Sequence, residues 1–477
     1  MMDLTIQEVA DVLGGEFLRK EGEDCSRKIS CAVIDSRQME ENGLFFAVPG
    51  ERTDGHRFVT SVFQSKAALA VVEKNAERVS LETGTDTSHW GSVILVESTL
   101  QALKSLAEYY RRKAGIPIVG ITGSVGKTST KECIATVLGD AFRVLKTEGN
   151  FNNEIGVPLT LLRIRPEHQL AVVEMGISDF GEMHRLSRMV RPNVCVITNI
   201  GQCHLENLHT RDGILQAKSE IFDYMAEDGE IVLNGDDDKL CTLLTVKGRT
   251  PHFFGIEPGE NKEVFVTDIV SRGLFGSEAA LTLNGERMPL ILPLPGRHMV
   301  LNAAAAACVG RLFGMTGEQI VAALGKMQPV AGRNNLVALS DYTLIDDCYN
   351  ANPASMRAAI DLLQMADTKK VAILGDMFEL GETSDALHAG VGRYAVEAGV
   401  DVLLCVGANS VHMYEGAIAA VSGPCVVAHF PDRDSLLQSL REDRAHYIPD
   451  GSTVLVKASH GMEFPKVCQL LKELSKA

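Results

Sequence analysis

The chain has 477 residues, 62 acidic against 46 basic, and a formal net charge of −16. That balance excludes a basic footprint for nucleic acid or an anionic membrane surface, and the length calls for two to four domains. Apolar residues make up 45% of the chain, enough for a core in each domain, and no run approaches the ~20 apolar residues of a membrane span. The first ten residues are broken by carboxylates and do not form a signal peptide. Eleven cysteines, an odd number, are scattered singly with no CxxC. Most sit in apolar runs, so they read as buried reduced thiols of a reducing, cytoplasmic compartment.

In chain order, residues 1–96 read as a small mixed α/β domain. Apolar strands at 32–34, 44–48 and 68–72 alternate with short helical or turn segments. The polar stretch 75–91, which carries the only Trp, is the expected linker. Ser98 and Gln101 have capping-box spacing, and Leu100, Leu103, Leu106, Ala107 and Tyr110 follow at helical intervals. Residues 97–328 then alternate strand and helix, with strands at 117–122, 170–174, 194–198 and 230–234. This pattern predicts a mainly parallel sheet covered on both faces. From 264 to 294 the period changes to two around Asn284-Gly285, as in a β-hairpin. Residues 329–477 place strands at 343–346, 371–374, 402–406, 426–430 and 453–457, each followed by an amphipathic helix. This is a doubly wound, Rossmann-like pattern, and without GxGxxG after its first strand it is not read as a dinucleotide binder.

The strongest chemical signal is VGITGSVGKTST, residues 119–130. An apolar strand runs into Gly123, Ser124, Val125, Gly126, Lys127, Thr128 and Ser129, and a helix begins there. Such a loop wraps a polyphosphate with successive N–H groups, and the helix N-terminus adds partial positive charge. Lys127 then neutralises the β/γ-phosphates and Thr128 offers its hydroxyl to magnesium. Ile121 stands where the common loop has its first glycine, so this is a shortened variant. Glu174 ends the next apolar strand, either as the carboxylate that holds the metal or as a strand end in solvent. His204 lies just beyond the following strand, as a metal ligand or as a structural histidine. By pattern alone Lys218 is a solvated lysine on a helix, and Asp236 to Asp238 form a turn and cap.

Nine segments together resemble the Mur ligases: TGSVGKTST, GNFNNEIGVPLTLL, VVEMGIS, TNIGQCHLENL, AKSEIF, LNGDDD, PGRHMVLNAAAA, IDDCYNANPASM and GDMFELG, in that order. YNANP and GDM-ELG are most similar to the member that joins D-alanyl-D-alanine to UDP-MurNAc-tripeptide. The resemblance implies an N-terminal UDP-sugar domain, a central ATPase and a C-terminal Rossmann-like domain. It also implies the reaction: ATP phosphorylates the tripeptide carboxylate, and the dipeptide amine displaces phosphate.

Carried onto this sequence, the resemblance gives the 123–129 loop to ATP and a first Mg2+ to Thr128 and Glu174. A second Mg2+ goes to His204 with Glu174, and Lys218 is the lysine that the family carbamylates. His298 and Asn302 lie against adenine, Arg333 contacts the phosphates, and Asp347 reaches the nucleotide from the third domain. Asp35, Ser36 and Arg37 match the uridine-nucleotide motif, Asn152 and Asn153 reach toward the same substrate, and Asn350 and Asn352 are acceptor-side residues or turn formers. Lys127, Lys218, His204 and Arg333 form the implied catalytic set, in a chain expected to act as a monomer. GRNN at 332–335 departs from the glutamate-containing version of its motif, and His460 in ASHGM replaces the family's arginine. The alternatives are a sister ligase with another amino acid, a folate-type polyglutamylating enzyme, and a non-catalytic nucleotide switch.

Overall fold

The structure is a computed structural model that describes residues 2–19, 25–50, 53–74, 91–259, 261–330 and 332–475. Three sheets organise a three-domain α/β chain. In the first, Ala32–Val33, Leu44–Phe46, Leu69–Glu73 and Ser92–Val96 run parallel, and Glu16–Arg19 closes the edge antiparallel to the last. Leu44, Phe45 and Phe46 are all wholly buried, so this strand packs on both faces. The two flanking strands Glu16–Arg19 and Ser92–Val96 were not anticipated from the sequence. Residues 75–90, nearly all of the expected linker, lie outside the described residues.

The helix Thr99–Ala114 begins as the spacing predicts, with the Ser98 side chain accepting from Gln101 N and Gly115 ending the helix at φ 64°. Leu103, Leu106, Ala107 and Tyr110 are buried in a cluster shared with Leu4 and Ile6 on one side and Leu161 and Met183 on the other. This helix therefore welds the first sheet to the second. Each such apolar side chain contributes roughly 1.5–3 kcal/mol by burial.

The second sheet has nine strands. In spatial order Val144–Lys146, Leu170–Glu174, Ile118–Thr122, Val194–Ile197, Glu230–Asn234, His252–Ile256 and Lys262–Ser271 are parallel. Ser277–Leu283 and Glu286–Leu292 then continue the sheet antiparallel, the predicted hairpin turning at Asn284-Gly285 with both residues at positive φ. Among these, the three-residue Val144–Lys146 and the His252–Ile256 strand were not anticipated from the sequence.

The alanine-rich helix Arg297–Leu312 packs against the far face of this sheet and against the helix Lys127–Gly139. Ala303 to Ala307 are all 0% exposed, and a Cβ at Gly310 would stand 2.9 Å from Val137 Cγ1. Small residues let these two helices approach closely, which brings Asn302 to the phosphate loop. The third sheet is parallel over Thr343–Asp346, Thr453–Lys457, Lys370–Gly375, Val402–Val406 and Val426–Phe430, with apolar clusters on both faces. Asn335–Ala338 adds an antiparallel edge. All eleven cysteines are free, and among the described residues no helix is long and apolar enough to cross a membrane.

Candidate active site

The strand Ile118–Thr122 is buried throughout and delivers the chain into a loop that ends at the helix Lys127–Gly139. Gly123 has φ 147°, and a Cβ there would fall 2.0 Å from Thr198 Oγ1; only glycine fits that turn. Gly126, at φ 82°, caps the helix and leaves its first N–H groups without a side-chain cap. Lys127 Nζ folds back on Gly123 O at 2.9 Å.

Asn199, which sequence reasoning passed over, supports the loop from the neighbouring strand. Its Oδ1 accepts from Val125 N at 2.9 Å, its Nδ2 donates to Val125 O at 2.9 Å, and its backbone O accepts from Ser124 N at 3.0 Å. The signal was present in TNIG, where the asparagine follows the strand directly.

Opposite the loop, the Thr128 hydroxyl donates to Glu174 Oε2 at 2.8 Å, and Asn152 Nδ2 donates to Glu174 Oε1 at 2.8 Å. Glu174 is 1% exposed. A buried carboxylate at a strand end and a hydroxyl in the first turn of the phosphate-loop helix form a hard oxygen pair suited to Mg2+. Asn152 orients this carboxylate. Asn153 Oδ1 caps the following helix, accepting from Ile155 N and Gly156 N.

Lys218 departs most from its pattern reading, for it is 0% exposed and its Nζ has no hydrogen-bond partner. The helix Arg211–Ser219 buries Ile214, Ala217 and Lys218 on one stripe at i, i+3 and i+4. That spacing was legible and outweighs the general solubility of lysine. Burial pushes the Lys218 amine from 10.5 down to about 8; Cys203 opposes the shift and the Lys127 cation adds to it. A buried amine without an acceptor, beside the phosphate-loop lysine, is the orphan that conversion to an anionic carbamate near Mg2+ would satisfy. The donor set Thr128, Glu174 and Lys218 thus fits the group the sequence motifs imply.

His204 follows the strand Val194–Ile197 in a left-handed conformation, φ 51°. Its Nδ1 makes a 2.5 Å ion-pair contact with Glu379 Oε2 of the third domain, without hydrogen-bond alignment.

The other rim is built where the second and third sheets meet. The Thr130 hydroxyl donates to Asn302 Oδ1 at 3.0 Å, tying the phosphate-loop helix to the alanine helix. His298 Nε2 lies 3.0 Å from Asn334 Nδ2, across the junction, and burial lowers the pKa of the imidazole. Arg333 stacks over the Tyr349 ring, 4.0 Å to its centroid. Asp347 accepts from Asn334 N at 3.2 Å and pairs with the buried Lys457 at 2.6 Å. Between these groups lies a shallow cleft lined by Ser129, Glu132, Leu294, Met299, Met327 and Arg333. Its lining mixes the apolar Leu294, Met299 and Met327 with the polar Ser129, Glu132 and Arg333.

Some expected residues stand apart. Asp35 and Arg37 pair with each other at 2.7 Å on the surface of the first domain, with Ser36 starting the short 3-10 turn between them. Asn352 caps the helix Pro353–Gln364 in a capping box with Ser355. Asn350 Oδ1 accepts from His460 N at 3.3 Å, and the His460 ring lies 5.8 Å from that of Tyr349. Asp237 is the turn acceptor, taking Lys239 N and Leu240 N, whereas Asp236 Oδ2 accepts from Ile256 N at 2.6 Å and its carboxylate pairs with Lys262.

Three family models match the chain: the Mur ligase family catalytic domain over residues 28–111, the Mur ligase middle domain over 121–310, and the Mur ligase glutamate ligase domain over 332–460. The chain is 34% identical over 476 residues to the UDP-N-acetylmuramoyl-tripeptide--D-alanyl-D-alanine ligase of Bacillus subtilis, with 99% of each chain covered. The enzyme of the same name from Escherichia coli is also 34% identical, again over 99% of both. Among solved structures, MurF from Acinetobacter baumannii superposes with a TM-score of 0.86 at 31% identity over 99% of both chains. MurF from Thermotoga maritima, in complex with ADP, superposes at 0.78 with 27% identity, covering 94% of this chain and 98% of that one. With full-length identity above 30% and all three domains matched in order, the chain belongs to the Mur ligase family.

Proposed function

We propose that this chain is an ATP-dependent ligase that joins D-alanyl-D-alanine to the C-terminal carboxylate of UDP-MurNAc-tripeptide, in the cytoplasmic assembly of peptidoglycan precursors. Residues 1–96 hold the UDP-sugar, 97–328 bind ATP, and 329–477 close over the nucleotide and bring the acceptor. The observation that carries the reading is Lys218, a wholly buried amine without a hydrogen-bond partner that feels the charge of Lys127 in the phosphate loop. A protein that bound ATP only as a switch has no use for that amine.

A carboxylate is a poor electrophile, and phosphoryl transfer from ATP converts it to an acyl phosphate with a good leaving group. The dipeptide amine attacks the acyl carbon, and phosphate leaves the tetrahedral intermediate. The N–H groups of 123–129 hold the triphosphate, and Lys127 exchanges its contact with Gly123 O for the β/γ-phosphates. Two Mg2+ ions, when bound, neutralise the charge that gathers on the transferring phosphoryl group. Thr128 and Glu174 would hold one, and Glu174, His204 and carbamylated Lys218 the other. Arg333, kept flat by Tyr349, approaches the phosphates, while His298, Asn302 and Asp347 position the nucleoside. Asp35, Ser36, Arg37, Asn152 and Asn153 serve the UDP-sugar side, and Asn350 and Asn352 shape the acceptor side. Catalysis rests on positioning and charge neutralisation.

The test is phosphate release from ATP with UDP-MurNAc-tripeptide, with and without D-alanyl-D-alanine, in wild type and Lys127→Ala. Release that needs both substrates and is lost in the variant supports the ligase. Release only with another amino acid or a folate acceptor moves the chain to a sister ligase, and silence with every acceptor despite ATP binding leaves the switch.

A further inference from the structure

GDMFELG, residues 375–381, lies in the third domain, and its acidic residue reaches a residue of the second. His204 Nδ1 stands 2.5 Å from Glu379 Oε2. Both are non-glycine residues at positive φ, 51° for His204 and 63° for Glu379, a conformation that costs about 1–3 kcal/mol each and persists only where the surroundings impose it.

The surroundings do so on both sides. Behind Glu379, Leu380 is 3% exposed in the core of the third domain, Met377 N donates to His388 Nε2 at 3.0 Å, and Phe378 N donates to Ser459 Oγ at 2.9 Å. Behind His204, Cys203 and Leu208 are buried, and the His204 carbonyl accepts from Asn207 N and Leu208 N. The two turns also approach through their backbones, since a Cβ on Gly381 would lie 3.6 Å from Glu206 Cα.

We infer that Glu379 is a positioning residue for His204: it holds Nδ1 toward the third domain and presents Nε2 to the metal side, so the second metal position is complete only when the third domain is docked on the central one. The inference rests on the reading of His204 as a metal ligand. A ligating imidazole needs its other nitrogen fixed, and a carboxylate held against that nitrogen, here in a 2.5 Å ion-pair contact, does this; loss of such a partner typically costs 10–100-fold in metal affinity. Here that partner belongs to the domain expected to carry the acceptor. Phosphoryl-transfer competence is thereby coupled to the presence of the acceptor-bearing domain.

The experiment counts Mn2+ bound to the full chain with a non-hydrolysable ATP analogue and UDP-MurNAc-tripeptide, followed by the electron paramagnetic resonance of free Mn2+, so no turnover is involved. Wild type, His204→Ala, Glu379→Ala and Glu379→Gln are compared. Glu379→Ala is expected to weaken the second ion about 10–100-fold and to leave the first unchanged. Glu379→Gln is expected to recover most of that loss, because its amide oxygen can occupy the same place against Nδ1. Wild-type affinity for the second ion in Glu379→Ala, together with a loss in His204→Ala, would overturn the inference and leave the ligand reading standing. A Gln variant as weak as the Ala variant would also overturn it, since charge rather than orientation would then be at work. Two ions at wild-type affinity in His204→Ala would remove the ligand reading, and the inference with it.

Discussion

Thr128, in the first turn of the phosphate-loop helix, donates its hydroxyl at 2.8 Å to Glu174, the last residue of the strand Leu170–Glu174. One residue opens the phosphate-loop helix and the other closes the next strand, 46 positions later in sequence. Thr128→Val keeps the shape and removes the donor. Glu174, almost wholly buried, is then left with the Asn152 amide as its side-chain partner. The nucleotide-free variant is expected to lose about 1–3 kcal/mol of stability in urea melts. Its kcat is expected to fall by roughly 10²–10³-fold, the cost of removing one preorganised charge-stabilising group, while Thr128→Ser keeps most of both. An unchanged kcat in the valine variant would place the metal elsewhere.

Gly123 is held at φ 147° with the Thr198 hydroxyl where a Cβ would go, 2.0 Å away. Thr198 Oγ1 in turn donates to Val125 O at 2.7 Å, so it cannot withdraw without releasing the loop. Gly123→Ala is therefore expected to abolish ATP-analogue binding in a fluorescence titration. Gly139, at the far end of the same helix, has open space at its Cβ position, and Gly139→Ala is expected to bind as wild type.

Much of this site was legible because its parts are local. Gly123 to Ser129, Glu174 and the third-domain strands each announce themselves within a dozen residues. Lys218 was readable only as one position on a stripe with Ile214 and Ala217, because residue type points one way and periodicity the other. The edge strands Val144–Lys146 and Asn335–Ala338 are short, and their pairing partners, not their own pattern, make them strands. The role of Asn199 and the Glu379 contact depend on which strands become neighbours across the fold. No spacing along the chain encodes that.

Lys218 makes a pH-dependent prediction. Its amine titrates near 10.5 when unfolded and about 8 when folded, so the folded state binds fewer protons between those values. Stability from this group therefore rises as pH climbs from about 8 to 10.5, and the full penalty for burying the charge, on the order of 3 kcal/mol, is present below pH 8. Lys218→Met removes an amine that has no partner to lose. The variant is expected to be more stable than wild type at pH 7, with the difference shrinking toward pH 10, and to have lost ligase activity. Chemical denaturation of both proteins across that range measures the difference; a lysine that stays cationic without penalty would give parallel curves.

The Asp347–Lys457 pair tests whether the third domain's floor is electrostatic or merely packed. Lys457 is 3% exposed and donates to Asp347 Oδ2 at 2.6 Å and to Asn350 O at 2.9 Å. Asp347 also accepts from Asn334 N, so one carboxylate ties the final strand of the sheet to the segment that carries Arg333. Breaking a buried pair by removing one partner leaves the other charged and uncompensated, a cost of about 3–5 kcal/mol. Lys457→Met is expected to lose that much and to weaken nucleotide binding, because Asn334, and with it the His298 contact, loses its anchor. Combining Lys457→Met with Asp347→Asn removes the orphaned charge and should restore most of the stability but not the nucleotide affinity. Additive losses in the double variant would mean the two residues act independently, and would separate Asp347 from the ordering of the nucleotide rim.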